Sequence, residues 1–158
     1  MQIGFVGLGK MGMNMITRLI RGGQSVIAFD TDKEKQIEAN KVGATVISNL
    51  AEFTTKLTSP RVIWLMVPAG KITDQVITQL LFSLQAGDIL IDGGNSNFRD
   101  SIENAKRCEE KGVSLLDVGT SGGVWGLEKG YCLMIGGKQS AYEHVEPIFK
   151  TLAPPNGY

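Results

Sequence analysis

Gln2-Ile-Gly-Phe-Val-Gly-Leu-Gly-Lys-Met-Gly12, answered by Asp30 at the end of the next apolar run, decides the fold. Ile3, Phe5 and Val6 read as a buried strand, and Met11, Met15, Ile16, Leu19 and Ile20 then recur at helical spacing, with Asn14, Thr17, Arg18 and Arg21 on the other face. Gly22-Gly23 stops that helix, and Ser25 to Phe29 is a second strand that delivers Asp30. A strand that turns this sharply into a helix needs residues without side chains. The same bare backbone lets a pyrophosphate lie against the N–H groups at the helix start. The spacing therefore predicts a βαβ dinucleotide unit of Rossmann type, with Gly7, Leu8, Gly9, Lys10, Met11 and Gly12 forming the cofactor turn.

Asp30 selects the dinucleotide. Its carboxylate can accept hydrogen bonds from both ribose hydroxyls, whereas a 2′-phosphate would place like charges a few ångströms apart, at roughly 4 kcal/mol for an effective dielectric near 20. Thr31 and Asp32 offer no arginine to a phosphate, so NAD is expected over NADP. The competing reading makes Asp30 the mere start of the next helix, capped by Thr31 and Glu34.

The chain of 158 residues suits one domain able to bury roughly 70% of its unfolded surface. Sixteen basic residues balance sixteen acidic ones, and the absence of a basic cluster argues against nucleic acid and anionic membranes as partners. The longest apolar run, Val62 to Val67, falls far short of the ~20 residues of a bilayer span. The first strand begins at residue 2, so no leader is expected and the location is expected to be cytoplasmic. Cys108 and Cys132 lack CxxC spacing and the chain has one histidine, His144, beside an apolar helical stripe. Neither a disulfide framework, a zinc site nor a Ser-His-Asp hydrolase is expected.

Further along, the pattern predicts a helix over 31–42 stopped by Gly43, a short strand over 44–47, and a capped turn from Asn49 to about Leu57. A buried strand over 62–67 ends at Pro68, followed by a helix over 72–84 and a strand over 89–91. A helix over 99–111 starting with Asp100 and Glu103, a strand over 114–118, a strand over 131–135 and a last helix complete the chain. Such alternation means a doubly wound, mainly parallel α/β sheet with helices on both faces. The strand ends carry Gly7 to Gly12, Asp30, Pro68 to Gly70, Asp92 to Ser96 and Gly119 to Gly123, so one rim should collect nearly all glycine-rich turns and the ligands. Trp64 belongs to the core. Trp125, in a glycine-rich loop, either packs locally or covers a further part of the protein.

At Asp92-Gly-Gly-Asn-Ser96 and Ser121-Gly-Gly123 the chain resembles the amino-terminal domain of 6-phosphogluconate dehydrogenase, the decarboxylating enzyme of the pentose phosphate pathway. The likeness also runs through Gly7 to Gly12, Trp64 to Gly70 and Gly130 to Gly137, and covers essentially every residue. It implies that Asn95 lies between substrate and nicotinamide, that Ser121, Gly122 and Gly123 hold the sugar acid, and that Val67, Pro68 and Ala69 pass over the cofactor. Short neutral donors beside glycine suit a polyol carboxylate. Where NADP-using members carry Asn-Arg-Thr, this chain has Asp30-Thr31-Asp32 and so resembles the NAD-preferring branch. Where many members have two acidic residues after the SGG loop, it has Val124-Trp125.

In the family a lysine base and a glutamate acid follow the dinucleotide domain, in a helical domain that completes the phosphate pocket and forms the dimer. Residues 1–158 read as the dinucleotide domain alone, without a catalytic pair, and are expected to be inert by themselves. The implied reaction of the intact homo-oligomer is oxidation of 6-phosphogluconate at C3, loss of carbon dioxide and protonation to ribulose 5-phosphate. Two rival readings are a 3-hydroxyacid dehydrogenase, which shares the fingerprint and an SGG loop but not Asp92 to Ser96, and a non-catalytic NAD-binding or NAD-sensing module.

Overall fold

The computed structural model describes residues 1–157. Five strands come first along the chain: β1 (Gln2–Val6), β2 (Ser25–Phe29), β3 (Thr45–Val46), β4 (Val62–Leu65) and β5 (Ile89–Asp92). Two longer-range partners, β6 (Ser114–Ser121) and β7 (Cys132–Gly136), complete one sheet of order β3-β2-β1-β4-β5-β6-β7. All neighbours are parallel except β6 and β7. The helices are α1 (Lys10–Arg21), α2 (Lys33–Lys41), α3 (Phe53–Lys56, after a 3₁₀ turn at Leu50–Glu52), α4 (Lys71–Leu81), α5 (Phe98–Glu110), α6 (Gly126–Lys129, after a 3₁₀ turn at Gly123–Trp125) and α7 (Gln139–Leu152). No helix among the described residues is long and apolar enough to cross a membrane.

Burial on both faces explains why β4 reads as one apolar run. Val62 and Trp64 point into the core under α1, α2 and α7, while Ile63 and Leu65 point into the second core under α3, α4 and α5. Trp64 lies fully buried, stacked on Phe5 at 6.2 Å between ring centroids and edge-on to Phe149 at 6.0 Å. Met15, Ile16 and Leu19 seat α1 on the same face. The expected doubly wound sheet is present.

Four differences have local causes. The cap of α2 is Asp32, whose carboxylate accepts from the Glu34 N–H at 2.8 Å, so the Thr31–Glu34 capping box does not form. The cap of α5 is Asn97, accepting from the Arg99 N–H, so the helix starts at Phe98, ahead of the expected Arg99. β6 runs on through Gly119, Thr120 and Ser121 because β7 pairs with it, joining Thr120 to Leu133 and Ser121 to Cys132. Arg18 leaves the outer face of α1 and donates to the carbonyls of Leu127, Thr151, Leu152 and Ala153 at 2.7–3.1 Å. It thereby satisfies the bare carbonyl end of α7.

Parallel pairing places the carboxyl ends of β1, β2, β4, β5 and β6 along one edge. The glycines do not keep to that edge as expected. Gly23, Gly43 and Gly112 have positive φ and stop α1, α2 and α5 at the opposite edge, where a helix end favours a left-handed residue, and Gly87, also at positive φ, turns the chain into β5 on that edge. What gathers on the carboxyl edge is the set of loops carrying candidate ligand contacts. The sheet order reverses at β1, between β2 on one side and β4 on the other, and opens a crevice there.

Candidate functional site

Each glycine of the first turn answers a different constraint. A Cβ on Gly7 would stand 2.3 Å from the Met66 carbonyl oxygen, and its φ is +95°. A Cβ on Gly12 would stand 2.1 Å from the Gly7 carbonyl oxygen, so only glycine lets α1 pack this tightly on the turn. A Cβ on Gly9 would meet nothing within 4 Å. The space in front of Gly9 is open, and there α1 begins with no side-chain cap and no acidic residue in its first turn. Uncapped amides and the positive end of the helix dipole make this a place for an anion. The turn fits a pyrophosphate.

Asp30 stands opposite. Its Oδ2 accepts from the Leu8 N–H at 2.6 Å and its Oδ1 from the Asp32 N–H at 2.9 Å. A carboxylate has about four acceptor positions, so two remain for other donors. The Leu8 side chain is fully buried, and its N–H is already engaged, so Leu8 shapes the turn through its backbone. Together Gly7, Gly9, Asp30, Thr31, Val67 and Pro68 line a cleft of about 410 Å³ between the ends of β1, β2 and β4. Ile72 and Val76 of α4 form its apolar far wall. Such a cleft, with a carboxylate on one side and aliphatic groups on the other, fits a nucleoside: diol toward the acid, base against the apolar wall.

The wall residues Ile72 and Val76 lie outside the sequence-derived site. Ile72 is 47% exposed at the start of α4, which only the folded structure reveals, and nothing in the sequence marks Val76 apart from core residues of the same helix. The Val67–Pro68–Ala69 turn is held from below by the buried Thr73, whose hydroxyl donates to the Pro68 carbonyl at 3.0 Å. Lys10, Met11 and Ala69 border this region without lining the cleft.

Asn95, Ser121, Gly122 and Gly123 stand on the same edge but outside the cleft, beyond the ends of β5 and β6. All four are exposed, and Gly122 and Gly123 have positive φ. The Tyr131 ring packs beneath Gly122 and Gly126, where added Cβ atoms would lie 3.0 and 2.1 Å from it. Burial pushes the Tyr131 phenol above its ordinary range, against the opposing effect of the Arg18 guanidinium. Trp125 is 69% exposed with the Lys129 ammonium 5.5 Å from its ring centre, so local packing does not account for it. The sole histidine, His144, is exposed on α7 and does not line the cleft. Cys108 is buried in the second core, where burial pushes its thiol up to about 11.

A doubly wound sheet whose first turn is an open anion site, faced by a carboxylate across a nucleoside-shaped cleft, defines a dinucleotide-binding domain. The family model described as the NAD binding domain of 6-phosphogluconate dehydrogenase matches residues 2–156, and the chain belongs to that family. The NAD(+)-dependent, decarboxylating 6-phosphogluconate dehydrogenase of Haloferax volcanii is 40% identical over all of this chain and 52% of its own length. The decarboxylating 6-phosphogluconate dehydrogenase of Cunninghamella elegans is 42% identical over 96% of this chain and 32% of its own length. The chain thus spans from about half to about a third of the curated relatives it matches. Among solved structures, the 6-phosphogluconate dehydrogenase of Plasmodium falciparum superposes with a TM-score of 0.87 at 31% identity, covering 98% of this chain and 34% of that one. A 3-hydroxyisobutyrate dehydrogenase of Mycobacterium tuberculosis gives 0.89 at 27% identity, covering 96% and 52%.

Proposed function

We propose that residues 1–158 are the cofactor-holding domain of an NAD-preferring 6-phosphogluconate dehydrogenase that oxidatively decarboxylates its substrate to ribulose 5-phosphate. The observation that carries the NAD preference is the Asp30 carboxylate, fixed by the Leu8 and Asp32 amides with two acceptor positions left toward the cleft. A ribose diol suits those positions and a 2′-phosphate does not. In this reading Gly9 to Gly12 take the pyrophosphate, and Val67, Pro68 and Ala69 cover the cofactor. Asn95 stands between cofactor and sugar acid, with Ser121, Gly122 and Gly123 gripping the latter.

When bound, the nicotinamide supplies the electron acceptor for the alcohol oxidation. The chain's own residues bind, orient and exclude water. Asn95 and Ser121 are neutral and move no proton, so a base and an acid must come from elsewhere in the intact protein, a homo-oligomer in this proposal. Calorimetric titration of this chain should give NAD binding well above NADP binding, with 6-phosphogluconate weaker than either in the absence of further residues. Tight sugar-phosphate binding without NAD binding would overturn the assignment.

A 3-hydroxyacid dehydrogenase is the second reading, favoured by the TM-score of 0.89 with the Mycobacterium tuberculosis enzyme. The Asp92 to Ser96 loop weighs against it, and a turnover assay of the intact protein with both substrates separates them. A cytoplasmic location belongs to the same proposal.

A further inference from the structure

Asp92 is 1% exposed at the carboxyl end of β5, and no ion pair reaches it among the described residues. A carboxylate in such a place is costly unless its oxygens are satisfied. Both are satisfied by the loop that follows. Its Oδ1 accepts from the Gly94 N–H at 3.0 Å, and its Oδ2 accepts from the Ser96 hydroxyl at 2.6 Å. The two donors bracket Asn95. Asn95 has φ +60°, the sole non-glycine residue with positive φ among the described residues.

The path of the loop leaves it little choice. Gly93 donates to the Leu65 carbonyl at 2.9 Å, and a Cβ there would stand 2.4 Å from Trp64 Nε1. A Cβ on Gly94 would stand 2.5 Å from the Val67 carbonyl oxygen, which belongs to the turn over the nucleotide cleft. The chain is thus threaded between Trp64 and Val67 before it turns, and the carboxylate of Asp92 ties both sides of the turn to the sheet. Asparagine enters the left-handed region more readily than most residues with a side chain, and the tethers on both sides of Asn95 bracket it in that conformation. An alanine or leucine at position 92 would suit the buried strand better than a carboxylate does, and would leave the turn untied.

We infer that Asp92 is a positioning residue: it fixes the backbone on both sides of Asn95 and so aims that side chain at the nicotinamide side of the cofactor. The inference rests on the reading of Asn95 as a cofactor contact. Asp92 itself touches neither cofactor nor substrate. Its effect should appear on the nicotinamide half of the dinucleotide and leave the adenosine half untouched.

The test uses this chain, with NAD and ADP-ribose as probes, the second lacking only the nicotinamide. Dissociation constants are measured by calorimetry for wild type, Asp92→Asn, Ser96→Ala, Asn95→Ala and the double variant Asp92→Asn/Asn95→Ala, with melting temperatures alongside. Asp92→Asn should change the ratio of NAD to ADP-ribose affinity by about tenfold, with ADP-ribose affinity held within about twofold of wild type. Ser96→Ala removes one tether without emptying a buried site, and should move the same ratio in the same direction by less. The double variant should equal Asn95→Ala alone, because a mis-aimed side chain that is absent cannot be mis-aimed further. An unchanged ratio in both tether variants, or losses that add in the double variant, overturns the inference. Equal weakening of both ligands together with a lowered melting temperature also overturns it, since that is what a merely structural carboxylate produces. Failure of the wild-type chain to bind either ligand overturns the dinucleotide reading itself, and this inference with it.

Discussion

Removal of the Asp30 carboxylate should exchange one dinucleotide preference for another. Two of its acceptor positions are taken by the Leu8 and Asp32 amides, and the two that remain would take the ribose hydroxyls. Hydrogen bonds to a charged group contribute about 1.5–3 kcal/mol each, and the half-buried setting of Asp30 trims the pair to about 2–3 kcal/mol in all. Asp30→Ala should therefore weaken NAD by roughly 30- to 150-fold. For NADP the sign reverses. Relief of a like-charge contact worth roughly 4 kcal/mol at an effective dielectric near 20, reduced by solvent, should leave NADP binding unchanged or tightened by about tenfold. Asp30→Asn separates charge from anchoring, because its amide oxygen can still accept from Leu8. Its NH2 group would then face the Asp32 N–H, so the variant should melt slightly below wild type while bringing NAD and NADP to within a few-fold of each other. Isothermal titration of wild type and both variants at low salt reads all of this. Equal NAD and NADP affinities in the wild type, or an NAD:NADP ratio that Asp30→Ala fails to move in a folded protein, would remove Asp30 from the site.

The glycines of the first turn should separate binding from folding: Gly9→Ala should keep its melting temperature and lose NAD, because its Cβ enters the space kept for the pyrophosphate. Gly12→Ala, facing a carbonyl oxygen at 2.1 Å, should lower stability by about 1–3 kcal/mol in a urea melt, with binding lost as a consequence. Arg18→Ala removes a donor shared by four carbonyls, of which Leu152 keeps the Tyr131 N–H, and should cost about 2–4 kcal/mol, a fall of roughly 5–15 °C by calorimetry. The two cysteines should differ in a thiol assay, with exposed Cys132 reacting at neutral pH and Cys108 only after denaturation. Since Cys108 sits near 11 when folded against 9.0 unfolded, the unfolded chain sheds that proton first as pH rises. Stability held below pH 9 should fall by about 2 kcal/mol as pH climbs to 11, an effect absent in Cys108→Ala.

Much of the fold was legible because its first unit states its constraints in residue types. Gly7, Gly9 and Gly12 stand where turn, ligand space and helix packing each forbid a side chain, and Val62 to Leu65 has no polar side to hide. Choices between adjacent candidates were not legible. Thr31 and Asp32 can both cap a helix, and only the path of the chain past Asp30 makes Asp32 the cap. The extra length of β6 depends on pairing with β7, whose residues lie beyond an intervening turn and helix, so nothing within 119–121 announces it. Arg18 has the spacing of a solvent-facing residue, and its four carbonyl partners lie more than 100 positions away. At the site, the turn and Asp30 could be read as a pair, whereas the apolar wall of Ile72 and Val76 and the tethering by Asp92 required the sheet to be assembled first.

The most direct check is a crystal structure of this chain with NAD. The pyrophosphate should lie against the amides of Gly9 to Gly12, with both adenosine ribose hydroxyls within hydrogen-bonding distance of the Asp30 carboxylate. A dinucleotide seated elsewhere, or one whose ribose turns away from Asp30, would contradict the assignment of the cleft.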